Sequence, residues 1–205
     1  MLLQKPFDAI TTSTDGDCLM VLARADEEFT ASQVQRLLEG RRSLSGVRNS
    51  LDRLDEQGVV SGRRVANAIT YRLNREHILS EAIETIARAK QILIDKTRDA
   101  VADWEIQPVF AAIFGSAARG EMRTDSDIDV LLIRPENADW ERWTDTVHEF
   151  QHAMTSWTGN DVRILELSEH EARTHGAVDP VMLEIARDGI AITGRPNWKR
   201  SGASS

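Results

Sequence analysis

One stretch of this 205-residue chain constrains its fold more than any other. It begins Phe114-Gly115-Ser116-Ala117-Ala118-Arg119-Gly120-Glu121 and continues Met122-Arg123-Thr124-Asp125-Ser126-Asp127-Ile128-Asp129-Val130-Leu131-Leu132-Ile133. A short apolar strand from Val109 to Phe114 ends at Gly115, whose missing side chain lets an anion approach the backbone. Ser116 then opens a short helix whose free N–H groups and dipole favour negative charge. After ten intervening residues, Asp127 and Asp129 stand two apart at the head of a second apolar strand. Strand periodicity sends both carboxylates to one face while Ile128 points into the core. Two carboxylates facing a phosphate-sized turn make a Mg²⁺ site. Taken singly, Ser126-Asp127 reads as a turn and Asp129 as a solvated strand end. The turn, the interval and the apolar strand together favour the metal and nucleotide geometry.

This stretch resembles the signature of the minimal nucleotidyltransferases of the DNA polymerase β-like superfamily: Gly-Ser, ten residues, Asp-x-Asp. Gly115, Ser116, Asp127 and Asp129 match at the family's spacing, and Arg119-Gly120 and Ser126-Asp127-Ile128-Asp129 match its usual wording. The resemblance spans about residues 85 to 194. It implies that Gly115 and Ser116 hold the triphosphate of an NTP such as ATP, that Arg119 touches it, and that Asp127 and Asp129 bind two Mg²⁺ ions. The family usually carries a third carboxylate on a later strand. Asp161 fits, because it begins the apolar-rich strand Val162 to Leu167 in the expected order; it would act as general base and as shared metal ligand. Glu166 is the rival, but it falls on the face of Val162 and Ile164, opposite Asp161. Ala117 departs from the commonest wording, where a basic residue often stands, which implies weaker triphosphate affinity.

The charge balance looks hostile to nucleic acid until it is divided by position. The whole chain holds 33 Asp and Glu against 25 Lys and Arg, a formal charge of -8. Residues 1–75 nevertheless hold 11 basic and 10 acidic side chains, and residues 36–75 carry nine Arg against four acids. The acidity belongs to the C-terminal part. A local Arg-rich surface lies beneath the average.

Punctuation divides those first 75 residues. Asp15-Gly16-Asp17 precedes an apolar helical run from Cys18 to Ala25, and Thr30 is a good N-cap for a helix 31–39 that Gly40 closes. Val47, Leu51 and Leu54 form an inward stripe on a third helix ending near Gly58. Two strand-like pieces, 59–65 and 69–73, flank Ala66-Asn67-Ala68. Three helices and a β-hairpin follow the order of a winged helix-turn-helix, and the module resembles that of bacterial and archaeal regulators. On its proposed recognition helix, Ser45, Arg48, Asn49 and Asp52 lie away from the apolar stripe, with Arg41 and Arg42 just before it. The resemblance implies duplex DNA as partner, Arg48 and Asn49 reaching base edges and Arg63 and Arg64 on the wing meeting phosphates. Protein docking, dimerisation or a solvated basic face are the competing readings.

Residues 76–104 contain no Gly or Pro. Leu79, Ile83, Ile86, Leu93 and Ala100 recur at helical spacing, predicting one linking helix that packs on the second domain or joins a homodimer. The fold class is therefore α+β: a winged helix-turn-helix at 1–75, a linking helix at 76–104, a polymerase β-like domain with a small mixed sheet at 105–194, and a flexible tail at 195–205. Cys18 reads as a buried structural thiol. Absence of a second cysteine, of a leader pattern and of a membrane-length apolar run predicts a soluble cytoplasmic protein. His148 and His152 read as surface histidines, and Trp140 and Trp143 as packing residues.

Together these readings predict a Mg²⁺-dependent transferase that moves an NMP from an NTP to a hydroxyl acceptor. By family analogy the acceptor is a protein such as a toxin, with the winged helix autoregulating an antitoxin-type operon. The alternative is a DNA-binding regulator whose nucleotidyltransferase-like domain senses nucleotide or is inactive.

Overall fold

The computed structural model describes residues 1–176, 178–196 and 198. The chain divides into two compact units, one made of Leu2 and Gln4–Lys90, the other of Met1, Leu3 and Gln91–Ser205.

The first unit opens with a 3-10 turn at Pro6–Ala9, followed by helices α1 (Thr14–Arg24), α2 (Ala31–Leu37), α3 (Leu44–Glu56) and α4 (Ser80–Ala87). Each of the first three starts where a hydroxyl caps it. Ser13 accepts from the Gly16 N–H, Ser43 from the Gly46 N–H, and Thr30 forms a reciprocal capping box with Gln33. Strands β1 (Phe29–Thr30), β2 (Val60–Val65) and β3 (Ala68–Leu73) form an antiparallel sheet in the order β1-β3-β2. The hairpin between β2 and β3 pairs Val60 with Leu73 through to Val65 with Ala68, and Ala66 turns at φ 51°. The two-residue strand β1 was not legible in the sequence, because it is defined only by its pairing with β3.

Val47, Leu51 and Leu54 bury the inner face of α3 against Cys18, Leu22, Val34, Tyr71 and Leu73. Burial pushes the Cys18 thiol up to about 11, so it is a packing group, as expected. Ile83 and Ala87 of α4 join the same core, which carries this unit to residue 90 rather than 75. The single helix expected at 76–104 is two: α4 ends at Ala87 and α5 spans Ala89–Ala102. At Arg88 ψ is 8°, outside helical values, and its N–H is shared among the carbonyls of Glu84, Thr85 and Ile86. Tightening of the last turn, with neither Gly nor Pro, ends α4.

The second unit holds α5, β4 (Phe110–Phe114), α6 (Gly115–Arg119), β5 (Ile128–Arg134), α7 (Trp140–Thr158), β6 (Val162–Ser168), α8 (Glu169–His175), α9 (Pro180–Asp188) and β7 (Ile190–Gly194). Its mixed sheet runs β6-β5-β4-β7, with β5 and β6 parallel and the other pairs antiparallel. β5 is buried on both faces, which explains its near-continuous apolar run. Phe110, Ala112, Leu131 and Ile133 pack with Ala172, Met182, Ile185 and Trp198. Trp143 is fully buried, and Trp104 meets it and Phe150 edge-on.

Trp140, in contrast, is 62% exposed and lies under the Arg134 guanidinium, so its packing partner is a cation. Of the tail expected at 195–205, Trp198 is 2% exposed and edge-on to Phe110, and is therefore core. Residues 197 and 199–205 lie outside the described residues. Among the described residues no helix is long and apolar enough to cross a membrane.

Candidate active site

Strand β4 delivers the chain to Gly115 at φ 66°, a left-handed conformation that reverses direction into the one-turn helix α6. No side chain caps the N-terminus of α6, and Gly120, also left-handed, closes it. Phe114 pairs in register with Asp129, which brings the Asp129 carboxylate onto the Gly115 turn. A Cβ at position 115 would lie 2.5 Å from Asp129 Oδ2. The glycine is thus required twice, for the φ angle and for the closeness of the carboxylate. The Ser116 side chain is half-buried at the start of α6.

Asp127 and Asp129 flank the buried Ile128, as strand alternation demands. The loop before them is pinned. Ser126 Oγ accepts from the Arg123 N–H at 2.8 Å, and Asn160, 5% exposed, donates from Nδ2 to the Ser126 carbonyl at 3.0 Å. The Ile128 N–H donates to the Asp161 carbonyl at 2.8 Å, tying the heads of β5 and β6 together. In the parallel register Ile128 stands beside Val162 and Asp129 beside Arg163. Asp161 therefore begins β6 next to the head of β5, and its side chain is exposed. Leu132 stands beside Glu166, which pairs with Arg134 on the face opposite Asp161.

Two cationic groups meet these acids. Arg163 places its guanidinium 2.7 Å from Asp127 Oδ2. Arg119 is ion-paired with Glu121 at 2.9 Å and with Glu184 of α9, so its charge is engaged by carboxylates. Burial raises the Asp129 carboxyl above the ordinary aspartate value; Arg163 opposes the rise, while Asp127 and Glu184 add to it. No three Asp, Glu, His or Cys side chains converge into a ligand set among the described residues. His148 and His152 are exposed on α7. The donor chemistry still suits a divalent cation: two carboxylates share a face, one of them driven towards its neutral form chiefly by burial and further by the other's charge, and a guanidinium already rests on Asp127.

Arg163, Asn160 and Glu184 were missed as site residues. Arg163 carried a signal, because it is two residues beyond Asp161 and strand alternation puts it on the same face. Asn160 resembled an ordinary turn residue, and nothing near Glu184 in the sequence connects it with Asp129.

The raised Asp129 carboxyl has a stability consequence. Between the ordinary aspartate value and the raised one, the folded protein binds more protons than the unfolded chain, so stability falls as pH rises through that window. Asp129→Asn is expected to raise the melting temperature at neutral pH without divalent cation and to flatten this decline. Thermal melts between pH 3 and pH 8 read the outcome, and a lower neutral-pH melting temperature in the variant contradicts it.

Comparison with known proteins bears on the same segment. Residues 96–193 match the family model described as polymerase beta, nucleotidyltransferase. The match, over just under half of the chain, makes that segment similar to a polymerase β-like nucleotidyltransferase domain. The match contains Gly115, Ser116, Asp127, Asp129 and Asp161. No curated protein matches the chain. Among solved structures, a mutant of the toxin–antitoxin MntA-HpeT is 16% identical, covers 49% of this chain and 73% of its own, and has a TM-score of 0.35. A toxin–antitoxin with AMP-PNP is 17% identical with the same coverage and TM-score. A protein from Sulfolobus solfataricus assigned as a nucleotidyltransferase is 18% identical, covers 54% of this chain and 87% of its own, and has a TM-score of 0.32.

In the first unit, Arg48 and Arg64 line a polar hollow of about 320 Å³ with Thr30, Ser32, Asp52 and Asn67. Asp52 also accepts a 2.5 Å hydrogen bond from the Tyr71 hydroxyl. Asn49 is exposed on α3, and Ser45 shares a hydroxyl contact with Ser43. The other arginines are engaged. Arg42 binds Asp17 at 2.6 Å and the Thr12 carbonyl, Arg41 lies 3.9 Å from Asp17, and Arg63 pairs with Glu28 at 3.1 Å.

Proposed function

We propose that the chain transfers a nucleoside monophosphate from an NTP to a hydroxyl, with its first unit reading duplex DNA as a winged helix. The closeness of Asp129 to the Gly115 turn carries the reading, because it sets a carboxylate pair against a backbone that can receive a phosphate. Asp127, Asp129 and Asp161 would hold two Mg²⁺ ions, which neutralise charge on the phosphates and activate the attacking oxygen. Gly115 and Ser116 orient the triphosphate, so that the acceptor oxygen bonds to the α-phosphorus in line with departing pyrophosphate. The acceptor proton passes to the Asp161 carboxylate. Arg163 leaves Asp127 as the pocket fills and keeps the acidic pair compensated when it is empty. Arg119, held by Glu121 and Glu184, reaches the triphosphate only by exchanging those carboxylates for phosphate oxygens. The family resemblance suggests a protein such as a toxin as acceptor, and a cytoplasmic setting with autoregulation follows from that suggestion.

A second reading has one observation in its favour. Arg163 on Asp127 and the doubly paired Arg119 describe a site at rest, which suits a DNA-binding regulator that senses nucleotide without turnover. Incubating the chain with α-labelled NTPs, Mg²⁺ and a lysate separates the two. Transferred label is expected; a rise in melting temperature with ATP but no transferred label overturns transfer and favours sensing. For the first unit, Arg48→Ala is expected to weaken duplex binding that falls steeply with salt, and salt-independent binding contradicts DNA reading.

A further inference from the structure

The first unit contains a second cavity, apart from the polar hollow beside Arg48, of about 330 Å³. The 3-10 turn, α1, α2 and the α2–α3 turn enclose it. Phe7, Met20, Val21, Phe29, Leu37 and Leu38 supply apolar walls. Its volume falls at the lower end of the range for small-molecule sites, and the mostly apolar lining with a few polar groups matches their usual composition. A Cβ built on Gly16 would lie 3.0 Å from the Phe7 Cβ, so α1 and the 3-10 turn meet closely at one wall.

Charge at this cavity has a sign. Lys5, Arg24 and Arg41 line it, against Asp8 and Asp17. Asp17 is already compensated by Arg42 at 2.6 Å; Lys5, Arg24 and Asp8 make no ion pair among the described residues, which leaves the lining with a net positive charge. An apolar chamber with an excess of cations in its lining favours an occupant with an apolar body and one negative group.

We propose that this cavity is a binding site for a small amphipathic organic anion, an aryl or short-chain carboxylate. Its body sits against Phe7, Met20, Val21 and Phe29, and its carboxylate meets Lys5 and Arg24. Leu37, Leu38 and Arg41 belong to the end of α2 and the turn that launches α3, where Glu39 and Gly40 both have positive φ. Occupancy therefore bears directly on the segment that positions α3. Binding at this site requires neither nucleotide transfer nor DNA, and its test uses neither.

Isothermal titration of the full chain with 2-naphthoate and with its uncharged analogue 2-naphthamide reads the proposal. Naphthoate is expected to bind one equivalent at least about tenfold more tightly than the amide, a difference of about 1.4 kcal/mol. Lys5→Gln with Arg24→Gln, both at the cavity mouth, is expected to erase that preference while the amide's affinity stays the same. Val21→Trp, which fills the chamber, is expected to abolish binding of both. Equal affinity for the two probes overturns the proposal, as does undiminished naphthoate binding in either variant. Because the Lys5 and Arg24 substitutions leave the apolar core intact, they decide the matter even if Val21→Trp fails to fold.

Discussion

Transfer of label from an α-labelled NTP is expected to fall at least about a thousandfold when Asp127 and Asp129 are both replaced by Asn, a loss of about 4 kcal/mol of transition-state stabilisation. Asn keeps the size of each side chain and the strand alternation around Ile128, so the backbone of β5 is retained. What disappears is negative charge where two carboxylates share a face. The Arg163 guanidinium, 2.7 Å from Asp127, then has no acid to rest on at that position and stays in the site as uncompensated positive charge. Such a site still attracts a triphosphate. Nucleotide affinity measured without divalent cation is therefore expected to be preserved or raised as transfer is lost. That split, binding retained and chemistry gone, separates loss of catalytic charge from collapse of the pocket. Label transfer within about tenfold of wild type contradicts the role given to the pair.

Why so much of this site was readable follows from how local its construction is. Gly115, Ser116, Asp127 and Asp129 lie on one strand–turn–helix–strand segment, and period two decides where the two carboxylates point. The position of Asp161 was readable for a similar reason, since the residue that opens a parallel neighbour of β5 must stand at the head of β5. Arg163 shares the strand alternation of Asp161, whereas Glu184 depends on tertiary placement. The Arg119 contact to α9 joins residues 65 apart, and no periodicity encodes it. The same division runs through the fold. Helix α2 announces itself by the Thr30 cap, α1 by its apolar run and α3 by its apolar stripe, whereas β1 and β7 become strands only by pairing with β3 and β4. The break at Arg88 escaped because its cause is a tightened hydrogen-bonding turn in a sequence that favours helix throughout.

Gly115→Ala carries the second large effect, and Gly159→Ala supplies its control. Both glycines have nearly the same backbone, φ 66° and φ 69°, so an added methyl costs each a similar conformational penalty of about 1 to 2 kcal/mol. Their surroundings differ. A Cβ on Gly159 meets nothing within 4 Å, while one on Gly115 meets Asp129 Oδ2 at 2.5 Å. Gly159→Ala is therefore expected to lower stability by that backbone penalty and leave label transfer unchanged. Gly115→Ala is expected to lose more stability than that, because the added methyl also meets the Asp129 carboxylate, and about 10- to 100-fold in transfer, because that carboxylate must rotate off the turn. Chemical denaturation and initial rates on the two variants read both quantities. A double variant sharpens the argument: with Asp129→Ala in place, nothing remains at position 129 for the new methyl to displace. The stability cost of Gly115→Ala should then shrink to that of Gly159→Ala. If it does not, the glycine is required by the turn alone, and the approach of Asp129 to the phosphate-binding backbone is not what position 115 protects.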